Sequence, residues 1–146
     1  MNPLATASIV GLSMNSPEIA RKWTLFLASQ KQIKNSELLL PHFEQGTITR
    51  LCDCGCNSYD LAVMTDTGLK ALIEPRSCGG CVLSIAFNLR DRSGSIELDV
   101  FVNAYGYLAG IDVACNANSE PMPDDPQLLD FPYHIHGPLA KESASE

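Results

Sequence analysis

Charge is scarce in this chain. Only 18% of its 146 residues are charged, and the 10 lysines and arginines are outnumbered by 17 aspartates and glutamates, a net charge of −7. That shortage of positive charge argues against nucleic acid and against an anionic membrane surface as partners, because both are bound by neutralising phosphates. Long hydrophobic runs are missing too. No stretch approaches the roughly 20 apolar residues of a membrane span, and the apolar opening Met1 to Met14 has neither the basic start nor the continuous apolar core of a secretory signal. The expectation is a cytoplasmic chain with reduced thiols. Also absent are a glycine loop that cradles phosphate, a nucleophile elbow and a metal-binding histidine pair at helical spacing, so the sequence reads as a non-enzyme. There is no internal repeat and no low-complexity tract. The length suits one domain spanning 1–146, with 1–14 and 139–146 as flexible ends.

What is present begins with an amphipathic helix. Ser16 can cap it, Pro17 suits its first turn, Glu18 complements the dipole, and Ile19, Trp23, Phe26 and Leu27 recur on one face. A further helical turn over Ser36 to Leu40 should stop at Pro41. From Gly46 the period changes to two. Thr47 to Cys54 and Tyr59 to Met64 read as strands, and Thr65-Asp66-Thr67-Gly68 as a turn. Leu83, Ile85, Phe87 and Leu89 alternate before the turn Asp91-Arg92-Ser93-Gly94, and Ile96, Leu98, Val100 and Val102 alternate after it, the pattern of a hairpin. Leu108 to Cys115 adds a strand. The fold expected is α+β: the N-terminal helix packed on an antiparallel β-meander, followed by a long proline- and acid-rich C-terminal loop. In that tail Leu128, Leu129, Phe131 and Tyr133 are available as anchors.

Five of the six cysteines form two groups, Cys52-Asp53-Cys54-Gly55-Cys56 and Cys78-Gly79-Gly80-Cys81. Thiolates at such spacing can converge on one soft metal ion, and two short knuckles complete a tetrahedron. The candidate zinc ligands are Cys54, Cys56, Cys78 and Cys81, with Cys52 as the spare. On a strand, however, Cys52, Cys54 and Cys56 would share one face and serve equally as small buried apolar groups. A dithiol redox centre is a third reading, although a strand rather than a helix follows Cys81. Cys115 reads as packed. His134 and His136 share one side of an extended segment, where exposed polar residues are the simpler explanation.

The run Arg50-Leu51-Cys52-Asp53-Cys54-Gly55-Cys56-Asn57-Ser58-Tyr59-Asp60-Leu61 resembles the CxCGCx[ST] segment of a group of small uncharacterised bacterial proteins. Leu108-Ala109-Gly110-Ile111-Asp112-Val113 and Pro121-Met122-Pro123-Asp124-Asp125-Pro126 resemble later segments of the same group, so the likeness spans 46–129. The group carries no assigned catalytic residues, and the pair Cys78 and Cys81 departs from its pattern. Small acidic bacterial proteins of this type are similar to toxin-immunity proteins. That likeness implies a non-enzymatic inhibitor of a basic toxin domain, with Glu97, Asp99, Glu120, Asp124, Asp125 and Asp130 as partner-binding acids. The alternative function is zinc binding or thiol redox chemistry at the cysteines.

Overall fold

The computed structural model describes residues 15–53, 55–64 and 68–141. The first helix, α1 (Pro17–Ala28), starts where the sequence places it: the Ser16 side chain accepts the Ile19 N–H at 3.2 Å and Pro17 occupies the first turn. Ala20, Trp23, Thr24 and Leu27 form its buried stripe. A 3₁₀ turn, Ser36–Leu38, leads into α2 (Leu39–Gln45). Pro41 therefore does not stop a helix, contrary to expectation; it lies in the first turn of one, where its missing N–H would have had no partner in any case.

The strands are β1 (Thr47–Leu51), β2 (Tyr59–Ala62), β3 (Gly80–Asn88), β4 (Ser95–Val102), β5 (Leu108–Cys115) and β6 (His134–His136). They form one six-stranded sheet in the order β1-β2-β5-β4-β3-β6, with every neighbouring pair antiparallel. The architecture is α+β. Strands β3, β4 and β5 are the expected meander, but the β1-β2 hairpin joins beside β5 rather than ahead of β3. The tail supplies an edge strand, β6, against β3.

One face of the sheet is the core. Phe87, Ile96, Leu98, Val100, Ile111 and Val113 are buried there, and Phe26 of α1 meets Phe87 edge-on at 5.0 Å. Tyr59 ties the helix layer to β2. The Thr24 hydroxyl donates to the Ala20 carbonyl at 2.8 Å, so the 2.6 Å contact between Tyr59 and Thr24 is donated by the phenol. His42 is a second strut: its Nδ1 accepts the Leu108 N–H at 3.1 Å, which leaves Nε2–H to donate to the Lys70 carbonyl at 2.8 Å. Leu139, expected in a flexible end, is buried, and the Lys34 N–H donates to its carbonyl at 2.7 Å. Of the tail residues expected as anchors, Leu128 packs against the core while Leu129, Phe131 and Tyr133 are exposed. The turn expected at Thr65-Asp66-Thr67 and the ends 1–14 and 142–146 lie outside the described residues.

Candidate functional site

The second face of the sheet is polar, and its chemistry follows from strand register. Residues opposite one another across a ladder share a face, so the pairs define rows. One row runs His136–Ser84–Asp99–Asp112 across β6, β3, β4 and β5. The next runs His134–Ala86–Glu97–Ala114. On the other side lies Cys81–Phe101–Gly110–Asp60–Arg50, reaching from β3 to β1. Alternation alone would turn Cys81 towards the core with Leu83. A bulge between Cys81 and Leu83 sets two steps of β3 against one of β4 and moves Cys81 to the polar face.

The result is a strip of carboxylates with bases only at its margins. Asp99 sits directly opposite Asp112, an arrangement that like charges oppose. Partial burial pushes the Asp112 carboxyl up from its ordinary value, the charges of Asp99 and Asp60 push it further, and Arg50 draws it part of the way back. Glu97 is raised in the same way, first by burial and then by Asp99; the Ser84 hydroxyl, donating at 3.3 Å, and His134 oppose the rise. Arg50 is occupied by Asp60 at 2.8 Å. One oxygen of Asp99, Oδ1, is buried without a hydrogen-bond partner among the described residues. Partial burial of its sulfur is the chief cause that raises the Cys81 thiol; the Leu83 carbonyl at 3.4 Å opposes the rise and the charges of Asp99, Asp112 and Glu97 add to it, so the thiol is a poor nucleophile at neutral pH.

Of the acids expected to bind a partner, Glu97 and Asp99 are on this strip. Asp124 and Asp125 line a cleft against α1, on the helix side of the sheet. Asp130 pairs with Arg90 at 2.8 Å beside the tail, and Glu120 is exposed in the loop ahead of Met122. The six acids thus do not form one surface. Asp112 and Asp60 were missed as members of the strip. The signal was available in the apolar alternation Ile111-Asp112-Val113, but it becomes informative only once β4 and β5 are put in register.

Among the described cysteines, Cys56 lies apart from the Cys78 and Cys81 group, while Cys52 and Cys56 both contact Ser58. Cys54 lies outside the described residues. Cys52 is half-buried just after β1, Cys56 is buried, and Cys78 and Cys81 are exposed, with Gly80 and Cys81 inside β3 rather than in a loop. The Cys56 thiol is 3.3 Å from the Ser58 hydroxyl, which in turn accepts the Val113 N–H at 2.9 Å, fixing Cys56 beside β5. Cys81 lies on β3, at the level of Gly110. Two strand spacings of about 4.8 Å and three residue rises of about 3.4 Å separate these levels, far beyond what Zn–S bonds of about 2.3 Å can bridge. The structure does not bring Cys56 together with Cys78 and Cys81. Among the described residues, no three His, Cys, Asp or Glu side chains are grouped so as to hold a metal ion. No described helix is long and apolar enough to cross a membrane. Comparison with protein-family models, curated proteins and solved structures returned no match to this chain.

Proposed function

We propose that this protein is a non-enzymatic binding module whose polar sheet face docks a basic protein, acting in the cytoplasm as an immunity-type inhibitor of a basic bacterial toxin. The observation that supports this reading most directly is the cross-strand pair Asp99 and Asp112, extended by Glu97 and Asp60 on the same face. Within the free protein such a pair costs stability, because neither carboxylate relieves the other. A lysine- or arginine-rich partner surface removes that repulsion on docking, so the strip favours the complex by a term the free fold does not contain. The net charge of −7 adds long-range steering towards a cationic cleft.

The test is the association rate with basic proteins encoded beside this chain, measured for the native protein and for Asp99→Asn/Asp112→Asn at low and at physiological salt. Native association should be at least about tenfold faster than that of the variant at low salt, the two converging as salt rises. Equal rates at low salt, or no binding by any such protein, would overturn the reading.

A further inference from the structure

On the helix side of the sheet, α1 and residues 123–128 of the acid-rich loop flank an open cleft of about 520 Å³. That volume lies within the range of small-molecule sites, roughly 300–1,000 Å³. Ile19, Trp23, Phe26 and Leu128 give it apolar walls, and Asn57 joins the lining from the segment ahead of β2. The loop is anchored on both sides of the cleft. Met122 is buried and donates its N–H to the Gly55 carbonyl at 2.9 Å, and Leu128 forms a bridge to Leu89.

Asn57 is the informative residue. It is only 3% exposed, and its Oδ1 accepts the Trp23 indole N–H at 2.9 Å. The indole can only donate, which fixes the orientation of the amide. Nδ2 is then a buried donor, and it has no partner among the described residues. Leaving a buried amide donor unmade is costly, so an oxygen acceptor that enters the cleft beside Asn57 and reaches Nδ2 by a small shift of the side chains covering it gains a bond that no described residue supplies. The charges at the lining restrict what carries that oxygen. Lys22 is accompanied by both Asp124 and Asp125. A carboxylate would meet two like charges for one opposite, whereas an uncharged carbonyl avoids that repulsion.

We infer that this cleft is a binding site for a small apolar molecule bearing an uncharged carbonyl, its ring or chain against Trp23 and Phe26 and its oxygen accepting from Asn57 Nδ2. The site is on the opposite side of the sheet from the acidic strip and stands independently of the docking reading.

The test compares acetophenone with ethylbenzene, which differ by that oxygen, through the ¹H–¹⁵N spectrum of the intact protein. Trp23 is the only tryptophan, so its indole signal reports occupancy of the cleft. Both compounds should move it, acetophenone binding about fivefold tighter, the worth of one ordinary hydrogen bond. Acetophenone alone should shift the Asn57 side-chain amide protons downfield. In Asn57→Ala the two compounds should bind alike. If that variant does not fold, the amide shift in the native protein still decides. Equal affinity for the two compounds, or an Asn57 amide indifferent to acetophenone, would overturn the inference; an unmoved indole would show that the cleft takes neither.

Discussion

At the scale of single residues, the polar face carries a charge arrangement that the fold does not require. Asp112 faces Asp99, and its carboxyl is raised above its ordinary value. A group whose folded pKa is raised stabilises fully only below its unfolded value, and that contribution is lost as pH rises through the folded one. Asp112→Asn should therefore stabilise the protein at neutral pH by about 0.2–1 kcal/mol, the range for a cross-strand pair. The gain should vanish below pH 3.8, the ordinary value, where the native carboxyl is neutral in both states. Urea unfolding of the two proteins at neutral and acidic pH reads this directly, and a destabilised variant at neutral pH would contradict the repulsion argument. The cysteines give a second residue-scale prediction. Because Cys56 is tied to β5 through Ser58 while Cys78 precedes β3, the effects of Cys56→Ser and Cys78→Ser on stability should add within about 0.5 kcal/mol, as for distant sites. A coupling well above that would mean that the two cysteines share a site.

At the scale of elements, local signals were legible and long-range pairing was not. Ser16, Pro17 and the apolar stripe identify α1, and the alternation from Leu108 to Cys115 identifies β5 with its ends. The place of the β1-β2 hairpin beside β5 depends on contacts across about fifty residues, such as Tyr59 with Ile111, and no local periodicity records them. The bulge that turns Cys81 to the polar face is equally silent in sequence, since alternation through Cys81 and Leu83 points both to the core. The strip was half visible for this reason: Glu97 and Asp99 share a strand and a face, while Asp112 joins them only through register. A third such feature is the 3₁₀ turn Asn116–Asn118, in which all three residues have positive φ. It holds Asn116 so that its Oδ1 accepts the Ser95 N–H at 2.8 Å at the start of β4. Asparagine tolerates that region and alanine does not. Ala117→Gly should accordingly stabilise the protein by about 1 kcal/mol, seen as a higher urea midpoint with an unchanged slope. A lower midpoint would show that the turn is held by something other than its backbone preference.

At the scale of the whole molecule, the two faces of the sheet set opposite pH dependences. On the helix side, His42 is wholly buried between the Leu108 N–H and the Lys70 carbonyl, and burial lowers its pKa below the ordinary 6.5 despite the opposing hydrogen bond to Lys70. A histidine lowered on folding contributes stability that is complete above 6.5 and is lost as pH falls towards its folded value, because the unfolded chain takes up the proton first. Charging His42 in place would also force Nδ1 to donate towards the Leu108 N–H, breaking a buried contact. On the polar face, Glu97 and Asp112 act with the opposite sign: their ordinary values are 4.5 and 3.8, both are raised, and protonating them relieves repulsion as pH falls. Both effects act during acidification. Stability should decline from pH 6.5 downward as His42 becomes costly, and relief from the strip should oppose that decline as pH falls through the raised values of the two carboxyls. Comparing the native protein with Glu97→Gln/Asp112→Asn isolates the second effect, since His42 on the other face cancels in the difference, while Asp99, whose charge acts on both carboxyls, counts as part of the strip being relieved. The variant should be the more stable at neutral pH, share the decline that begins at pH 6.5, and lose its advantage as pH falls through the raised carboxyl values. Thermal unfolding over that range checks all three features. A variant whose advantage grew with acidification would show that the acids stabilise the free fold, and the argument for a cationic partner would lose its physical basis.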